Sequence, residues 1–427
     1  MHRMIIRTFA SMKDYRYLLL IIISLSCVCA TAQNRMMTIE EVDSLAALRN
    51  LQLKALHQEV DAAEGQLSQA RKYENPEVQV MHNIQNPINR RWFDMGYDGE
   101  TDVQISQSIA IGGQYKNKVR QAKASLNASK AGYQAEMLNV RQEACITFIE
   151  LYNAQQKLKV FDKEIASVEK IHQAYDEQTS KGNVSKMETF RIAAMLSQLR
   201  AEKTELQLCV NNLQSQLRLL LNLQEDTPIR ACIDEESAIR SVAEQLVGMA
   251  QTMPSTLQKH PEMLQAKYLE ESAQYAVKVE KAEALPRISL NGEWDKNGSI
   301  GHNFFAVGAT VSLPLWNRNQ GNIRSAKAQS AQAFIERQQR ENELRASLQN
   351  HYQATLQNLK LVEDQKKHLS TDLDQLLCAA EDQFLKRNIS VVEFVDLYSS
   401  FRDTHFMLED AKAQLFKSNE EMKKYTR

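Results

Sequence analysis

The 427 residues carry 52 Lys and Arg against 53 Asp and Glu, and this balance gives no electrostatic case for a nucleic-acid partner. Thirteen Gly and seven Pro are few for the length, while Gln, Ala, Leu, Glu and Lys dominate, a composition that favours long helices and coiled coils. No nucleophile, base or phosphate-cradle pattern stands out, so the reading is of a chain that is no enzyme and needs no cofactor.

Lys13, Arg16, the apolar run Leu18 to Leu25 and Ala30-Thr31-Ala32 form a charged region, a hydrophobic core and an A-x-A site. They read as a secretory signal over residues 1–32, cut after Ala32. Cys27 and Cys29 leave with it. A lipid-anchor reading through Ser24-Leu25-Ser26-Cys27 is poor, because Ser24 stands where a Leu-like residue is usual. No apolar run of about 20 residues follows, so no transmembrane helix is expected in the mature chain. Cys145, Cys209, Cys232 and Cys378 remain, and their irregular spacing is neither a disulfide framework nor a metal site. Across a helical hairpin, Cys145 and Cys209 would lie about 15 Å apart along the axis, too far to bridge. Buried free thiols are expected.

Thr38-Ile39-Glu40-Glu41 reads as a capped helix start, with amphipathic helix through Leu45, Leu51, Leu56, Val60 and Leu67 to about Tyr73. Asn75-Pro76 ends it. Val78, Val80 and Ile84 alternate as a strand up to Asn86-Pro87. Residues 88–100 form a loop whose Trp92, Phe93 and Tyr97 suit either a membrane interface or loop packing. A second strand follows with Val103, Ile105, Ile109 and Ile111 on one face. The next helix spans Gln114 to about Ser180, roughly 100 Å at 1.5 Å per residue. Its second half keeps heptad rows, Leu151, Leu158, Ile165 and His172 in one, Ala154, Phe161, Val168 and Tyr175 in the other. The returning helix has Ile192, Leu199, Leu206, Leu213 and Leu220 in its row, so the two pack as an antiparallel coiled coil. His172 reads as packed or lumen-facing. No His-x-x-x-His or Cys-x-x-Cys pair exists, and no metal site is expected.

Residues 225–237, with Pro228, form a linker, after which the plan repeats. Helix covers Ala238 to Ala250 and about Pro261 to Ala284, and Pro286 opens a strand with Ile288, Leu290 and Trp294 on one face. A second strand carries Phe305, Val307, Ala309, Val311, Leu313 and Leu315. The second long helix carries Leu359, Leu373 and Ala380, and its return carries Phe401, Leu408, Leu415 and Met422. Val119, Arg120, Ala122, Lys123 and Ala124 match Ile323, Arg324, Ala326, Lys327 and Ala328 at an offset of 204, and Lys181 to Glu188 parallels Lys386 to Glu393 at 205. The chain is therefore two copies of one unit, 33–224 and 238–427, each read as helix, strand, strand, long helix, turn, helix.

Each strand has about ten residues with one apolar and one polar face, the pattern of an outer-membrane strand. Four strands are too few to close a barrel, since the smallest have about eight, and lipid does not tolerate an open edge. Copies of the chain must then pool strands. Three copies give twelve, enough to surround an aqueous lumen, with long coiled coils projecting from it.

The tandem unit, Asn75-Pro76 and Leu285-Pro286 before the first strand of each copy, and Leu313-Pro314-Leu315-Trp316 resemble the TolC-like family of outer-membrane efflux ducts along the whole mature chain. Asn317-Arg318-Asn319-Gln320-Gly321-Asn322-Ile323, with Ile111-Gly112-Gly113-Gln114, resembles the heavy-metal cation branch. The resemblance implies a mainly α fold with a small β part: an α-helical barrel crossing the periplasm and four strands per chain in a trimeric twelve-stranded β-barrel. It implies a homotrimer in outer-membrane lipid of a Gram-negative bacterium, a periplasmic adaptor (membrane fusion) protein and an inner-membrane RND-type pump as partners, and metal cations as cargo. Drugs or type I secreted proteins are the alternative cargo. A poreless periplasmic coiled-coil adaptor or scaffold is the alternative of another class.

The family places adaptor docking at Lys181, Gly182, Asn183, Val184 and Ser185 and at Lys386, Arg387, Asn388, Ile389 and Ser390. It places a gate of carboxylates at Glu188, Glu393 and Asp396. A Gly followed six residues later by an acid is kept by Gly182 and Glu188, whereas Arg387 stands in the second Gly position before Glu393. Ile389 stands where the family often has Arg, leaving Arg387 or Arg191 to take that role.

Overall fold

A computed structural model describes residues 35–224, 228–298, 300–369 and 373–426. The expected signal segment, residues 1–32, and residues 225–227 of the expected linker lie outside them. In chain order the elements are β1 (Arg35–Met37), α1 (Ile39–Arg49), α2 (Leu51–Ala70), β2 (Glu77–His82), β3 (Thr101–Ile109), α3 (Gln114–Ser180), α4 (Lys186–Leu221), β4 (Ile229–Ala231), α5 (Glu235–Lys259), α6 (Pro261–Glu283), β5 (Arg287–Gly298), β6 (Gly301–Ser312), α7 (Gln320–His368), α8 (Leu373–Leu385) and α9 (Val391–Lys423). After β1, the order helix, strand, strand, long helix, turn, helix occurs twice. Contacts group the chain into two compact units, each drawing on both halves: residues 1–50, 141–243 and 357–420 in one, and 51–140, 244–356 and 421–427 in the other.

The second unit holds the sheet, order β2-β3-β5-β6, antiparallel throughout. Register explains its two faces. Val80, Val103, Trp294 and Phe305 stand in one row, as do Val78, Ile105, Gly292 and Val307. The alternate rows are polar, Gln79, Gln104 and Glu293, then Glu77, Ser106 and Asn291. Period-2 geometry keeps the rows on opposite faces, and the apolar one is bare: Val307 is 91% exposed and Phe305 73%. β2 and β6 have no outer neighbour among the described residues. The strands differ in length from the uniform ten expected, with six residues in β2, nine in β3 and twelve each in β5 and β6. β2 stops at His82, short of Asn86, because buried Asn86 folds the following loop on itself. It donates to Asp94 Oδ2 (3.0 Å) and to the Asp98 carbonyl (2.8 Å). Trp92, Phe93 and Tyr97 are all exposed on that loop, and the Tyr97 ring lies 4.1 Å from that of His302.

Between sheet and helices, Gly112 adopts φ 72°, and a Cβ there would lie 2.0 Å from Leu285 Cδ1. Only Gly fits such a turn. In the same unit, Val60, Ala63 and Leu67 of α2 pack on Leu126 of α3.

The first unit contains a feature the sequence reading lacked. β1 and β4 pair in parallel, Met37 opposite Ala231. The Gln155 side chain clasps β4, donating to the Ile229 carbonyl (2.7 Å) and accepting from the Ala231 N–H (3.0 Å). The region expected as a linker thus holds a strand and the start of α5. Thr38 caps α1 as expected, accepting from Glu41 N. The helix does not run unbroken to Tyr73, however. Asn50 leaves helical geometry at ψ 130° and donates its side-chain amide to the Leu220 carbonyl (3.0 Å). Along the helix expected through Leu359 and Ala380, α7 and α8 are helical and residues 370–372 between them lie outside the described residues; the helix expected over Ala238 to Ala250 extends to Lys259. Of the four thiols only Cys145 is buried; Cys209, Cys232 and Cys378 are exposed, which corrects the expectation. Heptad rows predict the seam of a hairpin, and these three lie off it.

Candidate functional site: the paired helical turns

The two turns carrying the expected docking residues both lie in the first unit, and they are built alike. At the end of α3, Gly182 N donates to the Thr179 carbonyl (3.0 Å) and Asn183 N to the Gln178 carbonyl (2.9 Å). At the end of α8, Arg387 N donates to the Phe384 carbonyl (3.0 Å) and Asn388 N to the Gln383 carbonyl (2.9 Å). This double bond pattern is a Schellman motif, which satisfies the last carbonyls of a helix and requires a left-handed residue. Gly182 supplies it at φ 74° and Arg387 at φ 62°. The second turn therefore keeps the conformation while lacking the Gly, at a cost of about 1–2 kcal/mol. The amides of Asn183 and Asn388 bond back to the side chains of Gln178 (2.9 Å) and Gln383 (2.6 Å).

Each turn ends on a helix cap. Ser185 accepts from Met187 N at the start of α4. At α9, Ser390 N donates to Glu393 Oε2 (2.7 Å) and Glu393 N to Ser390 Oγ (3.2 Å), a reciprocal capping box. The Ser390 N–H, and then its hydroxyl, hold the Glu393 carboxyl below its ordinary range. Of the three expected gate acids, then, Glu393 also starts a helix, while Glu188 and Asp396 are exposed and form no ion pair among the described residues. Arg387 bridges the two turns, its Nη2 donating to the Asn183 carbonyl (3.2 Å). Arg191 is exposed and makes no such bridge among the described residues. Ile389 packs against the core below instead of presenting a charge.

That core draws on four helices. Phe161, Ile165 and Val168 of α3, Ile192, Leu196 and Leu199 of α4, Phe384 of α8, and Val391, Phe394 and Tyr398 of α9 form one cluster. Aromatic rings stack through it, Tyr175 on Phe384 (5.1 Å), Phe384 on Phe394 (4.2 Å) and Phe394 against Tyr398 (4.8 Å). Two polar layers cross the cluster, and the sequence reading missed both. Glu381 accepts from Ser167 and from the buried Tyr398 hydroxyl (2.7 Å). One helical turn further, Arg402 pairs with Glu202 (3.1 Å) beside Glu164. Glu164 is 2% exposed and its Oε2 has no hydrogen-bond partner among the described residues. Burial pushes its carboxyl up to about 7 against the pull of Arg402, with the nearby Glu202 and Asp403 adding to the rise. His172 stands 3.6 Å from Asp176 on its own helix.

A family model described as outer membrane efflux protein matches residues 42–223 and 252–378. The chain belongs to the outer membrane efflux protein family. This efflux protein is 25% identical over 309 residues to the cobalt-zinc-cadmium resistance protein CzcC of Cupriavidus metallidurans, covering 70% of this chain and 68% of that protein. It is 22% identical over 246 residues to the outer membrane efflux protein BepC of Brucella suis, covering 56% of this chain and 52% of BepC. Among solved structures, CusC superposes with a TM-score of 0.73 at 15% identity over 91% of each chain. VceC from Vibrio cholerae superposes at 0.70 and 14% identity, over 90% of this chain and 94% of that one. At such identities the likeness is one of fold, the mainly helical channel fold with a small antiparallel sheet. The family is one of efflux channels, not enzymes. No helix among the described residues is long and apolar enough to cross a membrane.

Proposed function

We propose that this efflux protein is the trimeric outer-membrane duct of a tripartite pump that exports metal cations. The observation that carries the reading is the sheet: four strands, two free edges, one bare apolar face, joined directly to long helices. In lipid such edges must be paired, and three molecules provide the twelve strands of a closed barrel with the polar rows facing its lumen. The helices then cross the periplasm, and the paired turns at Gly182 and Arg387 meet a periplasmic adaptor that links the duct to an RND-type inner-membrane pump. Metal cations as cargo follow from the likeness to CzcC and from the Asn317–Ile323 run. Glu188, Glu393 and Asp396, repeated three times around one axis, form a carboxylate ring that favours cations, and the Arg387 bridge to Asn183 holds the turns together in the closed state.

Single-channel conductance of the purified protein in a planar bilayer tests this reading. Asp396→Asn and Glu188→Gln remove charge without touching a cap, and Glu393→Gln keeps its capping box. Small cation-selective currents that lose selectivity in these variants are expected. Unchanged selectivity would remove the gate and leave the duct. For cargo, cells lacking the protein should become sensitive to divalent transition-metal ions; sensitivity confined to organic drugs would overturn the cation assignment.

A further inference from the structure

The apolar face of the sheet ends in a cavity of about 480 Å³, lined among others by Lys72, Tyr73, Glu74, Ile109, Gln114 and Tyr115. That is roughly three times the ~150 Å³ site that holds a benzene ring. Gln107 and Ile109 on its wall share a face of β3 with Val103 and Ile105, and Ser108 and Ala110 complete that wall at the end of the strand. The Tyr73 and Tyr115 rings stack there 4.6 Å apart, and Tyr73 remains 77% exposed. Tyr115 donates to the Arg71 carbonyl (2.5 Å) and is thereby fixed. The cavity stands at the root of β2, one of the two unpaired edges.

The other edge, β6, ends in Leu313-Pro314-Leu315-Trp316. A tight turn, Leu315 N to the Leu313 carbonyl (3.0 Å), follows the strand. Leu313 and Leu315 are exposed, and Trp316 is 88% exposed. An indole so bare is a poor surface residue and a good interface anchor. β2 runs away from the helices and β6 runs back towards them. Antiparallel addition of one molecule's β6 to the next molecule's β2 therefore sets the end of β6 beside residues 73–77. Charge agrees with this placement. Arg318 follows Trp316, while Glu74 and Glu77 flank the cavity; all three are exposed and none has an ion pair among the described residues.

We propose that Trp316 of one molecule seats in the cavity beside Tyr73 and Tyr115 of its neighbour, with Arg318 against Glu74 and Glu77. This rests on the trimer reading above and adds to it the side chains that join barrel to helices between molecules. It also gives a physical role to the Leu313–Trp316 run, which otherwise projects apolar surface at the foot of the sheet.

The test uses full-length mature protein in detergent with Cys145, Cys209, Cys232 and Cys378 replaced by Ser, carrying Tyr73→Cys and Trp316→Cys. Oxidation should give covalent dimers and trimers on denaturing gels, and either single-cysteine variant should give none. In the unmodified background, Trp316→Ala should weaken self-association at least ~30-fold, as expected for an interface anchor, and Trp316→Phe should weaken it less. Should the cysteine variant fail to fold, Arg318→Glu should also loosen the trimer, and Glu74→Arg added to it should restore it. A trimeric wild type with no cross-link, no effect of Trp316→Ala and no charge rescue would overturn the docking and leave the duct standing. So would a bound phospholipid occupying the cavity of the intact trimer in native mass spectrometry. A monomeric wild type by light scattering would instead remove the trimer reading, and the docking with it.

Discussion

Glu164→Gln isolates the buried carboxyl beneath the paired turns. The side chain is 2% exposed, and burial raises its pKa from 4.5 to about 7. A difference of that size corresponds to ~3 kcal/mol between the two protonation states. The direction follows from proton binding. Between the two values the folded state holds the proton and the unfolded state has lost it, so stability falls as pH rises. The contribution is complete below about 4.5 and gone above about 7. Arg402 does not rescue the anion because its guanidinium already pairs with Glu202 at 3.1 Å. Gln imitates the protonated carboxyl and does not titrate. Thermal unfolding of the helical part, followed by far-ultraviolet circular dichroism from pH 4 to 8 (roughly the window set by the shift), should therefore show wild type losing stability across the window. The variant should lack that component, and the difference between the two profiles should approach ~3 kcal/mol by the upper end. Parallel profiles would refute the buried-acid assignment.

Arg387→Gly and Arg387→Ala separate backbone from side chain at the second turn. Both lose the bond to Asn183, so both should raise conductance alike, while Gly should melt higher than Ala because it relieves about 1–2 kcal/mol of left-handed strain. Unequal conductance, or equal melting, would contradict the assignment of φ 62° and the bridge to separate effects. Phe384→Ala removes a fully buried ring stacked on Tyr175 and Phe394. It should cost about 3–5 kcal/mol and expose the turns to limited proteolysis, whereas an uncleaved, normally melting variant would mean that the four-helix cluster does not hold them.

Much of this molecule was legible in the chain because its elements are long and strictly periodic. Seven-residue rows at Leu151, Ile165, Ile192 and Leu199 mark a seam, and all four are buried. Period-2 rows at Val103, Ile105, Phe305 and Val307 mark one face of a sheet, and the register keeps them together. Three-residue strands such as Arg35–Met37 and Ile229–Ala231 have no period to read. The break at Asn50 was equally hidden, because its cause is a carbonyl 170 positions away. Glu164, Glu202 and Arg402 lie beside heptad rows, where a two-helix hairpin leaves charges in water. The third and fourth helices cover those flanks, burying Glu164 and leaving Glu202 and Arg402 half-buried beside it.

The turns divide along the same line. That Gly182 ends a helix, and that Ser390 and Glu393 start one, is local chemistry within six residues, which any chain with that spacing would express. That Arg387 reaches Asn183, and that Ile389 joins a core, depends on segments about 200 residues apart meeting in one unit. The sequence alone determined the elements, their repeat, the two faces of the sheet and the family. Only the tertiary structure decided which charges are buried, where the strands stop and which edges are left open. Those depend on what packs beside each element, and local periodicity carries no record of that.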